Sequence, residues 1–219
     1  MKKKLINGNI LHLEYPNIKE LNLDLFRMSE YYESPSKKIN GKVFDILDFL
    51  EVNINSLGKI DFFEKWPAYN ITGKTLRDFR QFFELNRREK PIYDLLDKIN
   101  KPLENVYIIA NIKNDDEGFE HEIAHAFYYL SETYKKESLS LIKKMDSEVK
   151  SNIMKGFKVI GYPNIKSIID DELNAWLSTT TKKSWKLEFG FNYKYIKNHT
   201  LPFRELFLNE LQNIKTKSI

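Results

Sequence analysis

Gly118-Phe119-Glu120-His121-Glu122-Ile123-Ala124-His125-Ala126-Phe127 contains the pattern His-Glu-x-x-His. Residues four apart on a helix lie on one face about one turn apart, so His121 and His125 can direct two imidazoles at one metal ion. Glu122 projects from an adjacent part of the helix, where its carboxylate can take a proton from a metal-activated water. The pattern predicts a metal-binding helix, and zinc is the expected ion because it suits imidazole and carboxylate ligands.

The surroundings of this pattern favour a metal site over a chance match. The chain has only four histidines, and no glycine or proline interrupts the segment after Gly118. The alternative is a surface helix that carries two solvated histidines. Apolar residues at Ala124, Phe127 and Leu130 instead indicate a partly buried helix.

A second segment supplies a candidate third ligand, which a stable zinc site requires. The spacing over 165–177 predicts a helix, and one face of it carries Ile165, Ile168, Ile169, Glu172, Ala175 and Trp176. Glu172 lies in the middle of this apolar face, while Asp170 and Asp171 project elsewhere. Because a buried carboxylate must be paired or metal-bound, Glu172 is the expected ligand. A buried salt bridge or a helix-capping contact is the alternative.

These two segments resemble the gluzincin branch of the zincin metallopeptidases, in which a glutamate from a later helix completes the zinc site. The metzincin branch is excluded, because Tyr128 and Ser131 stand where its glycine and third histidine would be. The second segment is similar to small microbial members that read Asp-Glu-x-x-Ala-aromatic. The resemblance covers roughly residues 105–180.

The resemblance implies that His121, His125 and Glu172 bind zinc and that Glu122 is the general base. One position departs from the better-known gluzincins, which place an aspartate four residues after the ligand glutamate to orient a histidine. Trp176 stands there in this chain. Asp171 and Asn174 are the alternatives for that orienting role.

Composition limits the class of protein. The 219 residues predict one domain, with two small domains as the alternative. The resemblance implies that this domain is zincin-like, with subregions at 1–104, 105–180 and 181–219. A net charge of +4 within 30% charged residues does not favour nucleic acid, and the absence of cysteine excludes a thiolate site. No apolar run reaches the length of a membrane helix, and Asn7-Gly8-Asn9 interrupts any signal-peptide core. We expect a cytoplasmic protein without a membrane partner, although secretion without a signal stays open, and the sequence does not indicate an oligomeric state.

The remaining patterns predict an α+β fold, mostly helical, with a small sheet beside the metal-binding helix. Asn7-Gly8 predicts a hairpin in which His12 is a partly exposed strand residue. The other predicted elements are helices over 20–33 and 203–214, a helix or a strand over 43–50, and strands over 106–112 and 185–189.

Substrate contacts follow from the zincin resemblance and from general chemistry. The strand 106–112 is expected at the edge of the sheet, where Tyr107 and Ile109 would pair with a peptide backbone; a central strand is the alternative. His199, together with Tyr193 or Tyr195, is a candidate electrophile for the tetrahedral intermediate, with plain surface residues as the alternative.

Residues 68–75 offer a competing function, because Gly73-Lys74-Thr75 ends like a phosphate-binding loop. Only one glycine is present, and Pro67 is a poor end for a buried strand, so a helix entry is favoured, with Thr75 and Asp78 as the capping pair. The sequence therefore predicts a zinc-dependent peptidase that acts on a peptide or protein substrate. A nucleotide-binding protein and a zinc-bound interaction protein without turnover are the alternatives.

Overall fold

The computed structural model describes residues 1–54, 58–60, 62–64, 66–160, 162, 165–190 and 193–218, leaving out the side chains of 188, 189, 193 and 216–218. Helices dominate and a small mixed sheet accompanies them, which confirms the α+β prediction. The chain forms two compact units, one comprising Met1–Phe119 with Lys215–Ile219 and the other Glu120–Ile214. The boundary between the two units therefore falls between Phe119 and Glu120, within the His-Glu segment.

The described elements have the following bounds. The strands are β1 (Lys2–Ile6), β2 (Ile10–Tyr15), β3 (Ala68–Thr72), β4 (Tyr107–Ile112) and β5 (Thr216–Ser218). The helices are α1 (Ile18–Glu33), α2 (Ile46–Asn53), α3 (Gly73–Phe82), α4 (Lys90–Ile99), α5 (Asp116–Leu130), α6 (Glu132–Lys144), α7 (Ser147–Ile160), α8 (Lys166–Thr179), α9 (Lys182–Phe189) and α10 (Tyr193–Gln212). Single 3-10 turns lie at Phe62–Glu64 and Leu103–Asn105.

The first unit is built on a five-stranded sheet with the order β3-β4-β2-β1-β5. The predicted hairpin joins β1 to β2 through Asn7 and Gly8, whose φ angles of 50° and 73° are those of a tight hairpin turn. The strand β2 then pairs in parallel with β4, and β3 pairs with β4 in the antiparallel sense. Helix α1 packs against β2, β3 and β4, and α3 packs against α1 and the edge strand β3. The core of the unit combines aliphatic residues with a cluster of phenylalanines.

The strand β4 is central and not at the edge, so the edge-strand prediction is wrong. Its partners β2 and β3 use the hydrogen-bonding groups on both of its sides. Tyr107 and Ile109 are each only 1% exposed. An apolar, β-branched strand is buried most completely when it lies between two other strands. The local sequence did not show that β2 and β3 would both pair with β4.

His12 is buried, contrary to the prediction of a partly exposed residue. Its Nε2 atom lies 2.7 Å from the Oδ1 atom of Asn111, and its ring packs against Phe119 at 4.8 Å between centroids. The amide of Asn111 also donates hydrogen bonds to the carbonyls of Ile112 and Asp115. Burial lowers the pKa of His12, so the ring is a neutral core residue that joins β2 to β4.

Residues 68–75 comprise the whole of β3 and the first three residues of α3, with no loop between them. The side chain of Thr72 caps α3 by accepting a hydrogen bond from the backbone N–H of Thr75. A Cβ at Gly73 would lie 2.0 Å from the carbonyl oxygen of Leu103, so this glycine permits close backbone packing. The favoured helix entry is confirmed, although Thr72 and not Thr75 is the capping residue.

The second unit is helical in its described residues. Helices α6, α8 and α10 pack on one another, and α9 packs on α7 and α10. The predicted strand at 185–189 is wrong, because α9 begins after the capping side chain of Thr181 and ends at Gly190. The strand prediction placed Trp185 and Leu187 on the same face. In the structure Trp185 is fully buried and Leu187 is 69% exposed. No helix among the described residues combines the length and the apolar character needed to span a bilayer.

Candidate metal centre

The helix α5 begins with acidic residues that precede Gly118. The Oδ1 atom of Asp115 accepts a hydrogen bond from the backbone N–H of Gly118 at 3.0 Å, and a Cβ at Gly118 would lie 2.2 Å from that carboxylate. Asp116 and Glu117 occupy the first turn, where negative charge complements the helix dipole. The chain is therefore helical well before His121.

The histidine-bearing part of α5 is buried, as predicted. Residues from Glu122 through Tyr128 are all buried. The side chain of His125 is 3% exposed and that of His121 is 19% exposed. A surface helix with two solvated histidines is therefore excluded by the structure.

The helix α8 presents Glu172 at the margin of its buried face. Ile169, Leu173 and Leu177 are buried in the core of the second unit, while Ile165 is half exposed. The apolar face is thus rotated by about one residue from the predicted one. This rotation leaves Glu172 at the edge of the core, where its carboxylate meets the two histidines.

The donor atoms of His121, His125 and Glu172 converge. The two Nε2 atoms are 3.3 Å apart, and the carboxylate oxygens of Glu172 lie 3.8 Å from Nε2 of His121 and 3.7 Å from Nε2 of His125. Two ligands of a tetrahedral zinc with bonds of ~2.0–2.1 Å lie about 3.3–3.4 Å apart. Within the described part of the chain these three residues form the group able to hold a metal ion.

An unsatisfied carboxylate oxygen also supports a cation at this point. Among the described residues, Oε2 of Glu172 is buried and has no hydrogen-bond partner. Buried polar atoms normally have a partner, and an orphan of this kind calls for an explanation such as an ion. The residues present therefore fit a zinc ion in both distance and chemistry.

Asp171 orients the second histidine. Its Oδ1 atom lies 2.8 Å from Nδ1 of His125. A carboxylate only accepts hydrogen bonds, so Nδ1 carries the proton and the lone pair of Nε2 faces the other donors. Of the two alternatives that the sequence left open, Asp171 has this role, while Asn174 bonds elsewhere.

The charges at the centre perturb one another strongly. Burial lowers the pKa of His121 well below its ordinary value, and the charge of His125 adds to this effect. Burial alone would also lower the pKa of His125, but the carboxylates of Asp171 and Glu172 outweigh it and raise that pKa well above the ordinary value. Burial raises the pKa of Glu172 to about 7. A divalent cation would favour the deprotonated form of all three ligands, which metal binding requires.

Two aromatic residues complete the centre, and neither role was predicted. Trp176 packs edge-on against the ring of His121 at 5.5 Å between centroids. Its Nε1 atom donates to the hydroxyl of Tyr162 at 3.4 Å, and that hydroxyl in turn lowers the pKa of Glu172 by hydrogen bonding. Burial raises the pKa of Tyr162 well above its ordinary value, so it is a neutral phenol. The sequence signal for this contact was a tyrosine ten residues before the candidate ligand Glu172.

The other predicted site residues lie outside this cluster. Tyr107 and Ile109 are buried in β4, which removes the reason for expecting them to bind substrate. His199 is partly buried in α10, and Tyr195 of the same helix is 76% exposed. The side chain of Tyr193 lies outside the described residues.

Comparison of the chain with protein-family models, with curated proteins and with solved structures found no match.

Proposed function

We propose that the protein is a zinc-dependent peptide-bond hydrolase of the gluzincin type. The observation that carries the proposal is the convergence of the donor atoms of His121, His125 and Glu172 within 4.8 Å of one another. Glu122 follows His121 directly on the same buried helix, and Tyr162 faces the ligand glutamate from another segment. These five residues supply a metal site, a base and a hydrogen-bond donor together.

The ligand residues hold and orient the ion. His125 binds through Nε2, because its Nδ1 carries a proton that it donates in a hydrogen bond to Asp171. Glu172 adds negative charge from α8. Zinc, when bound there, supplies a Lewis acid that polarises a carbonyl group and lowers the pKa of a coordinated water. Three protein ligands leave one position open, which is the pattern of catalytic rather than structural zinc sites.

Glu122 and Tyr162 perform the proton and charge chemistry. Glu122 takes a proton from the attacking water and transfers it to the leaving amine. The hydroxyl of Tyr162, which hydrogen-bonds Glu172 in the structure, would transfer that one hydrogen bond to the carbonyl oxygen as negative charge develops on it. His199, Tyr193 and Tyr195 are not needed for this role.

The alternative functions have less support. A nucleotide-binding protein would need a phosphate loop at 68–75, but β3 leads directly into α3 there and Thr72 caps the helix. A zinc-bound interaction protein needs the three ligands but has no use for a buried Glu122 beside them. The peptidase accounts for both the ligands and their neighbours.

The test is metal content followed by turnover. We expect the purified protein to bind one zinc per chain and to cleave members of a random peptide library, with cleavage sites read by mass spectrometry. Removal of zinc by a chelator should abolish cleavage, and one equivalent of zinc should restore it. Failure to bind zinc would refute the proposal, and full zinc without cleavage of any peptide would favour the interaction protein.

A further inference from the structure

A buried amide joins the two helices that carry the zinc ligands. Asn174 of α8 is completely buried. Its Nδ2 atom donates to the backbone carbonyl of Ala124 in α5 at 3.3 Å, and its Oδ1 atom accepts from the hydroxyl of Ser138 in α6 at 3.1 Å. The orientation of the amide is determined, because only its NH2 group can donate to the carbonyl of Ala124.

The placement of this amide relates it to the metal ligands. Ala124 directly precedes His125, and Asn174 lies three residues after Asp171 on the same face of α8. The helices α5 and α8 are therefore linked at two adjacent levels, by the pair of Ala124 with Asn174 and by the pair of His125 with Asp171.

Directional bonds set helix position more narrowly than apolar packing does. An apolar side chain at 174 could tolerate a small rotation or sliding of α8, whereas a buried amide loses its partners and pays a desolvation cost when either helix moves. A rotation of α8 would carry Glu172 away from the two histidines, since Glu172 lies at the margin of the buried face. Metal affinity is sensitive to displacements of this kind because the ligands must converge on one point.

We propose that Asn174 is a positioning residue of the metal centre, which, together with Ser138, sets where Glu172 lies relative to His121 and His125. The inference rests on the proposed zinc site and extends it to residues that touch neither the ion nor a substrate. The hydrogen bonds of Asn174 therefore set the geometry of the metal site and also contribute to the stability of the fold.

The experiment uses the full chain and compares three variants. Asn174→Leu removes both bonds at similar volume. Ser138→Ala removes only the hydroxyl that donates to Asn174. Thr179→Val is the matched control, because Thr179 is also buried on α8 and, among the described residues, its hydroxyl donates to the carbonyl of Ala175 within its own helix. For each protein we would measure the zinc dissociation constant by chelator competition, the visible absorption spectrum of the Co²⁺-loaded form and the melting temperature.

We expect Asn174→Leu to weaken zinc binding ~10-fold or more and to shift the Co²⁺ spectrum, with Ser138→Ala changing both in the same direction by less. Thr179→Val should match the wild type in both readouts, even if its melting temperature falls. Zinc affinity and a Co²⁺ spectrum in Asn174→Leu equal to those of the control would overturn the inference. If Asn174→Leu does not fold, Ser138→Ala alone decides by the same two readouts. Absence of zinc binding in the wild type would instead remove the proposed function itself.

Discussion

The Nδ1 atom of His125 lies 2.8 Å from the Oδ1 atom of Asp171, which is the residue immediately before the ligand Glu172. In the proposed zinc site, adjacent residues of α8 would act on one histidine in two ways, Asp171 by accepting the hydrogen bond from its Nδ1 and Glu172 by binding the same ion. If the chain is a gluzincin, as proposed, Asp171 takes the role of the orienting aspartate that the better-known gluzincins place at the position of Trp176.

Asp171→Asn is expected to weaken zinc binding by ~10–100-fold, since the loss of an orienting carboxylate typically has an effect of this size. The amide has no charge to stabilise the Nδ1 proton of His125. Asp170→Asn is the control, because Asp170 pairs with Lys166 one turn away. Chelator competition on both variants measures the difference, and equal affinities would show that Asp171 does not tune the site.

Removing a ligand should empty the centre. His125→Ala and Glu172→Ala each leave two protein ligands, too few for a stable zinc site, so the zinc content after dialysis should fall close to zero. Asp170→Ala should retain the zinc of the wild type. Elemental analysis of the three variants decides the assignment, and a full complement of zinc in Glu172→Ala would exclude Glu172 as the third ligand.

Glu122→Gln should keep its zinc and lose turnover. The amide is nearly the same size as the carboxylate but cannot accept a proton from water, so we expect kcat to fall by ~10²-fold or more. Metal content and peptide cleavage are measured on the same preparation. Cleavage at the wild-type rate would mean that another group is the base.

Tyr162→Phe should lower kcat with little change in KM, because its hydroxyl is expected to bind the carbonyl oxygen mainly after charge has developed. Loss of one such donor typically costs ~10²–10³-fold. Tyr195→Phe is the control, since Tyr195 is largely exposed on α10. Steady-state kinetics with one cleaved peptide separate the two effects, and equal rates for both variants would remove Tyr162 from the mechanism.

Glu30 offers a test of stability in the first unit. Burial raises the pKa of this carboxyl above its ordinary value of 4.5, despite hydrogen bonds from Ser34 and Asn53. The native state therefore holds the proton more tightly than the unfolded chain, and stability falls as the pH rises from about 4.5 through the raised pKa. Glu30→Gln cannot ionise and should be more stable than the wild type at neutral pH by about 1 kcal/mol.

The advantage of Glu30→Gln should disappear below pH 4.5, where the carboxyl is protonated in both states. Urea unfolding of the wild type and of Glu30→Gln across this range provides the measurement. A difference that grows as the pH falls would contradict the predicted sign.

The local spacing of residues was sufficient to predict much of the structure. The spacing of His121 and His125, the burial of their helix and the helix that carries Glu172 all depend on residues three or four apart, so the sequence predicts them directly. The Asn7-Gly8 hairpin is equally local, because its two positive φ angles depend on two residues. The strand prediction at 185–189 failed because the alternation of Trp185 with Leu187 also fits one buried and one exposed position of a short capped helix.

Tertiary structure decided what depends on pairing between distant segments. Whether β4 is an edge or a central strand depends on β2 and β3, which lie about a hundred and about forty residues earlier in the chain. The contacts of Asp171 and Tyr162 depend on the rotation of α8, which the packing of its buried face sets and which differs by about one residue from the face read in the sequence. Successive residues of a helix point about 100° apart, so the adjacent carboxylates of Asp171 and Glu172 reach different partners.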